Sequence, residues 1–252
     1  MTNLRRIALA ALAAPLALAL SACGDDADGE LTSSEPIEHI AAPEGQAWTD
    51  VVQVTDSDGY LLGNPDAPVK LIEYGSLTCG ACANFAQTGA DALKEKYVST
   101  GVVSFELRNQ VHNAFDLTLA ALARCSAPES FHPLADQVWK NFPQVMGDMQ
   151  NAQSQLANLG EVPENQRYIA IAEAAGFLDF FAARGISRDQ AASCLADNEA
   201  VLAIAERSDK QSEELDVTGT PTFILNGRKL DENRWPGIEA ALQTAGARPA
   251  EG

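Results

Sequence analysis

Basic residues are scarce in this 252-residue chain: 17 Lys plus Arg stand against 35 Asp plus Glu, a formal net charge of −18. That balance repels nucleic-acid phosphates and anionic head groups alike, which excludes nucleic-acid binding as a function class. Histidine is scarcer still, at three residues, so a His-rich metal site is excluded. Five cysteines are too few for a small disulfide scaffold, so each needs its own explanation. No apolar run reaches the roughly 20 residues that cross a bilayer; the run Ile7–Leu20 is about 14. What the chain does have is hydrophobic residues, 46% of the total, enough for one folded unit of about 200 residues and too many for a disordered chain.

The N-terminus has the layout of a bacterial export signal: Arg5 and Arg6, the apolar run, then Leu20-Ser21-Ala22-Cys23. Small residues between Leu and Cys resemble the lipobox of bacterial lipoproteins, in which the cysteine becomes the acylated N-terminus. Cys23 is therefore expected to be a lipid anchor, and the compartment a periplasm, with the choice between inner and outer membrane open; an ordinary secretory signal with a stray thiol is the alternative. Residues 24–48 (GDDADGELTSSEPIEHIAAPEGQAW) are acidic and aperiodic and read as a flexible tether. A disordered chain of that length has a reach of about 25–30 Å, enough to lift a domain off a membrane. His39 is expected to be a solvated linker residue.

Val51–Val54 and Val69–Tyr74 are short runs rich in β-branched and aromatic residues, separated by the turn-like Gly63-Asn64-Pro65-Asp66. Cys79-Gly80-Ala81-Cys82 follows and opens a segment of helical spacing to about Ser99, and another strand is expected at Val102–Leu107. Strand, C-x-x-C, helix, strand is the context that separates a redox pair from half of a zinc site. Helical spacing recurs at Asp116–Cys125, Leu134–Phe142, Arg167–Arg184 and Arg188–Arg207, with a looser polar stretch between Gly147 and Gln166. Residues 217–230 read as a loop, a strand and an Asn226-Gly227 turn into a short strand, and a final helix is expected at about Glu232–Ala245.

Four segments in this order, LIEYGSLTCGACANF, LRNQVHNAFDLTLAALARC, SCLADN and VTGTPTFILNG, resemble the DsbA-like thioredoxin family, in particular its alphaproteobacterial type and lipoprotein relatives. The resemblance spans about residues 50–245. It implies an α/β thioredoxin fold interrupted by an all-helical domain: a first thioredoxin part over 49–110, the insertion over 111–210, and a second part over 211–248. It implies thiol-disulfide exchange on exported proteins.

Residue chemistry supports that role independently. Cys79 sits where a loop enters a helix, so unpaired backbone N–H groups and the positive end of the helix dipole stabilise its thiolate. It is the expected nucleophile, with Cys82 one turn on as the resolving thiol. Gly80-Ala81 departs from the Pro-His pair of strongly oxidising family members, which predicts a Cys79 pKa nearer the thioredoxin value of about 7 than the roughly 3.5 of the strongest oxidase. Glu73 lies where thioredoxin-like proteins keep a buried acid, placed to relay the proton of Cys82; a solvated strand position is the other reading. Thr220-Pro221 matches the family's cis-proline loop, in which Gly219, Thr220 and Pro221 offer main-chain groups to an extended substrate. Cys125 and Cys194 are expected to form a structural disulfide, as in some alphaproteobacterial relatives, worth about 4 kcal/mol in the chain-entropy model. Two free thiols or a second redox pair remain open for them. Leu77 and Phe85 are candidates for an apolar client-binding rim or for core. His112 and His132 read as loop and turn residues, and Trp48, Trp139 and Trp235 as packing residues.

The leading expectation is a monomeric, membrane-tethered disulfide oxidase with no cofactor and no metal, acting on unfolded exported proteins. Its partner would be a DsbB-like membrane protein, or a membrane electron donor if the direction is reductive. A reductase or isomerase and a redox-inert thioredoxin-fold chaperone are the alternatives. Residues before Val51 are too few and too polar for the dimerisation domain of a dedicated isomerase.

Overall fold

The computed structural model describes residues 34–250. The leader, the lipobox and Cys23 lie outside the described residues. A six-stranded sheet has the order β1-β2-β4-β3-β5-β6, with β1 Val52–Val54, β2 Tyr60–Gly63, β3 Val69–Gly75, β4 Val103–Asn109, β5 Thr222–Leu225 and β6 Arg228–Lys229. β3 and β4 run parallel, from Val69 opposite Val103 to Gly75 opposite Asn109. All other pairings are antiparallel. β2 has no counterpart in the expected elements: Tyr-Leu-Leu-Gly is buried throughout, so it lacks the alternation that marks a half-exposed strand. The Asn226-Gly227 turn is present with both residues at positive φ, and Asn226 Oδ1 accepts from Lys70 N at 2.8 Å, tying the turn to β3.

Between β3 and β4 lie α1, Gly80–Thr88, and α2, Ala90–Lys96. The sequence suggested one helix here. Gly89 divides it, and Trp235 packs closely there: a Cβ at Gly89 would lie 2.7 Å from Cβ of Trp235. Between β4 and β5 the chain builds α3 Ala114–Ala123, α4 Phe131–Lys140, α5 Phe142–Ala152, α6 Glu164–Ala174, α7 Phe177–Ala182, α8 Arg188–Ala196 and α9 Asn198–Glu214. α10, Trp235–Thr244, ends the fold. The stretch expected as loose from Gly147 is helical as far as Ala152, and the single helix expected over Arg167–Arg184 is two, broken at Gly176 in the left-handed region. The apolar faces of α3 to α9 join those of the sheet and α1 in one buried cluster, so the insertion does not have a separate core.

The second half of the expected tether is not free. Ser34 N donates to Thr244 O, Ile37 N to Gly246 O and Ile40 N to Thr100 O, and the indole of Trp48 donates to Ile40 O at 2.7 Å. Ile37 and Trp48 supply the apolar contact that an acidic composition concealed. Residues 34–48 thus belong to the folded body, while His39 is exposed as expected.

Candidate active site

Strand periodicity sets the site's floor. In β3, Val69, Leu71 and Glu73 alternate onto one face, the face that α1 covers. Glu73 is fully buried, and neither carboxylate oxygen has a hydrogen-bond partner. Burial pushes its pKa up to about 8; the carboxylate of Asp136 adds to the rise, Lys94 opposes it and Cys79 adds a smaller increment.

After β3 the loop Ser76-Leu77-Thr78 leads to Cys79, which is the N-cap of α1 with extended backbone (φ −98°, ψ 124°). Cys79 is half-buried and Cys82 fully buried, and both are free thiols. The Cys79 thiol is held at about 5. The S–H of Cys82 directed at its sulfur is the main cause; partial burial opposes it, and the Thr220 side chain and the N–H groups of Cys82 and Ala81 assist. Burial drives Cys82 strongly the other way, reinforced by its bond to Cys79 and by Glu73. The reading from Ala81 expected a value near 7, and about 5 lies between that and the roughly 3.5 of the strongest oxidase. It weighed the residue between the cysteines, whereas the thiolate is stabilised by Cys82, Thr220 and helix amides that a missing His does not touch.

Thr220-Pro221 is a cis peptide, and Cys79 Sγ donates to Thr220 O at 3.3 Å. Thr220 is half-buried and Gly219 exposed, with open space where a Cβ would stand. Leu77 and Phe85 are buried in the core, so neither forms a rim. Phe142 of α5 approaches instead, its Cε1 lying 3.6 Å from where a Cβ of Gly80 would be. Cys125, just beyond α3, and Cys194, in α8, are joined by a disulfide with a Cα–Cα distance of 6.0 Å.

Three residues shape the site that sequence reading had not singled out for it. Asp116, in the first turn of α3, is buried and accepts from Leu77 N at 2.9 Å, Ser76 Oγ at 2.7 Å and His112 N at 2.9 Å. Burial raises its pKa while those donors lower it. It ties the loop before Cys79 to the segment after β4. Trp139 packs as expected, and its indole also donates to Ser76 O at 3.1 Å. His112 reaches the cis-proline loop, Nε2 lying 3.3 Å from Thr220 Oγ1. The readable signal was Asn113-x-x-Asp116, a helix-start pattern in which Asn113 Oδ1 accepts from Asp116 N. His132 is not a turn residue: it lies in α4, buried, with Nε2 2.9 Å from Tyr60 O, and burial pushes its pKa down to about 3.

A thiol pair split into an acidic, half-exposed sulfur and a buried one, with Cys79 Sγ hydrogen-bonded to a cis-proline loop, is an arrangement able to exchange thiols and disulfides. The thioredoxin family model matches residues 55–244. The crystal structure of a protein-disulfide isomerase from Novosphingobium aromaticivorans superposes with a TM-score of 0.67 at 30% identity, covering 72% of this chain and 94% of that one. Alpha-DsbA1 of Wolbachia pipientis gives 0.58 at 21% identity, covering 75% and 92%. A Rickettsia bellii protein named "Putative protein-disulfide oxidoreductase" is 24% identical over 205 residues, 81% of this chain and 70% of its own length. The chain spans 65% and 61% of two further rickettsial relatives. The chain belongs to the thioredoxin family of protein-disulfide oxidoreductases, and its fold is the one seen in alpha-DsbA1. Among the described residues, no helix is long and apolar enough to cross a membrane.

Proposed function

We propose that this chain oxidises thiols of exported proteins, held at a bacterial membrane by lipid on Cys23. The observation that carries the reading is the contrast at the C-x-x-C: Cys79 half-exposed and held at about 5, Cys82 buried and driven upward. A stabilised Cys79 thiolate favours the reduced enzyme, which makes its disulfide an oxidant. A client thiolate attacks Cys79 Sγ of the Cys79–Cys82 disulfide, and Cys82 leaves as the buried sulfur. Glu73, with its carboxyl proton held to about pH 8, is placed to protonate it. A second client thiolate attacks the client sulfur of the mixed disulfide and releases Cys79 as thiolate. Two electrons have passed from client to protein, and a membrane oxidant of the quinone-linked class removes them in the next turn. Main-chain groups of Gly219, Thr220 and Pro221 hold the client in extended form, which suits many sequences because backbone pairing ignores side-chain identity.

The test is the equilibrium of Cys79 and Cys82 with glutathione. A potential well above that of thioredoxin, about −270 mV, supports oxidation, and one at or below it assigns the chain to reduction. Isomerisation is the second reading, favoured by the likeness to the Novosphingobium protein-disulfide isomerase; refolding of a scrambled substrate without added oxidant would separate it. Reduced ribonuclease should gain disulfides with the wild type and not with Cys79→Ser, and equal activity in both would remove the catalytic assignment. Incorporation of radiolabelled palmitate into wild type but not Cys23→Ser tests the anchor.

A further inference from the structure

The geometry points to Ser76 as the positioning residue of Cys79, clamped by Asp116 and Trp139 from two helices of the insertion. The inference rests on the reading of Cys79 as the exchanging thiol. Ser76 directly follows β3 and is buried. Its carbonyl oxygen has two lone pairs, and both are taken: the N–H of Cys79 donates at 3.2 Å, and the indole N–H of Trp139 on α4 at 3.1 Å. Its hydroxyl donates to Asp116 Oδ2 at 2.7 Å and accepts from Thr78 N at 3.1 Å. The other carboxylate oxygen of Asp116, on α3, accepts from Leu77 N at 2.9 Å. Each residue from Ser76 to Cys79 therefore has a polar atom fixed in this network, and the two groups that hold it from outside belong to the segment between β4 and β5.

Both outside groups are themselves held. Trp139 is buried, and its own carbonyl accepts from Gln87 Nε2 at 2.7 Å, so α4 is bonded both to α1 beyond Cys82 and to the loop before Cys79. Asp116 is buried and takes a third donor, His112 N, at 2.9 Å. A buried carboxylate is costly to desolvate, and the hydrogen bonds it accepts are about twice as strong as those between neutral groups. Here that strength is spent on the backbone that leads into the nucleophile. During exchange the Cys79 sulfur changes partner, from Cys82 to a client and back, while the N-terminal amides of α1 and the Thr220 carbonyl, 3.3 Å from Sγ, are its fixed surroundings. A pinned Cys79 backbone lets the sulfur turn about its own side-chain bond and stay at those amides. A loop free to shift would carry the sulfur away from them and from the attacking geometry. The insertion is thus part of the setting of the nucleophile, acting through the main chain of Ser76.

The test measures two quantities on the full chain: the midpoint of the Cys79 thiolate absorbance, and the stopped-flow rate at which a thiol peptide reduces the Cys79–Cys82 disulfide. Each is read for wild type, Ser76→Ala, Trp139→Phe and Asp116→Asn, with Asn64→Ala as the control. Asn64 is buried like Ser76, and its Nδ2 donates to Gly101 O at 2.9 Å, at the end of the sheet where β3 begins and away from the loop that follows it. Ser76→Ala and Trp139→Phe, each removing one bonding group, are expected to raise the midpoint by about 0.3–0.7 pH unit and to slow reduction about three- to tenfold. Asp116→Asn should have the largest effect, and its combination with Ser76→Ala should fall short of the sum, because the two share a bond. Asn64→Ala should leave midpoint and rate at wild type even where urea denaturation shows an equal loss of stability. Two results overturn the clamp: Ser76→Ala and Trp139→Phe both at wild type, or Asn64→Ala shifting midpoint and rate as far as they do. If Asp116→Asn does not fold, those two variants still decide. Failure of the underlying reading looks different, because even the wild type would then show no low-midpoint thiolate and no reduction by the peptide.

Discussion

The two cysteine pairs of the described body share one chain and differ in almost every physical respect. Cys79 and Cys82 are neighbours across one helical turn, unbonded, with one sulfur half-exposed at an N-cap and the other buried against an unpaired carboxyl. Cys125 and Cys194 are 69 residues apart, bonded, and join the end of α3 to α8. Near the first pair stand the donors that stabilise a thiolate, and the positive end of the helix dipole lies at Cys79. The second pair closes a long loop within the insertion. Reactivity follows from what surrounds the sulfur and from whether its partner can leave and return, not from the presence of two cysteines.

The sharpest way to break this contrast is to exchange the consequences of losing each pair. Cys79→Ser should reduce thiol oxidation of a client to background, whereas the double variant Cys125→Ser/Cys194→Ser should keep most of the activity in the same assay. Loss of activity on removing the distal pair would make it a second redox pair. For stability the order reverses: urea denaturation should show the distal double variant weakened by about 2–4 kcal/mol.

A smaller effect separates the buried acid from the sulfurs it serves. Glu73→Gln should slow resolution of the mixed disulfide by about tenfold to a hundredfold, measured by stopped-flow with a thiol peptide. Its stability profile has a defined sign. The Glu73 pKa is raised in the fold, so its favourable contribution is complete below the unfolded value of about 4.5 and is lost as pH rises through about 8. Glu73→Gln should therefore match wild type near pH 4 and exceed it at pH 8, by on the order of a few kcal/mol. Equal profiles would place the carboxyl in contact with water.

A last effect concerns Cys79 itself. Its pKa is depressed to about 5 in the fold, so the stability its thiolate contributes is present above the unfolded value near 9 and lost as pH falls through 5. The stability advantage of the reduced wild type over Cys79→Ser should shrink across that window, and a constant difference from pH 9 to 5 would contradict the depressed value.

Much of this site could be read without coordinates because its chemistry is local in sequence. The loop-to-helix step at Cys79 and the two-residue spacing to Cys82 are set by neighbours along the chain, and a buried strand with one acid at Glu73 is visible as period-two alternation. Elements misplaced by sequence reading failed for equally physical reasons. β2 is too short and too uniformly apolar to show a period. The close approach of Trp235 to the break at Gly89 comes from far away in the chain, and the docking of residues 34–48 depends on Thr100, Thr244 and Gly246, which no local pattern announces.

By itself the sequence determined the redox motif, its helical setting, the acid in the strand before it and the threonine-proline loop, since each is a short-range pattern with short-range physics. Only the tertiary structure decided how acidic Cys79 is and which residues govern it. A thiolate responds to every donor and charge within a few ångströms, and here Thr220 is brought to Cys79 from 141 residues away along the chain.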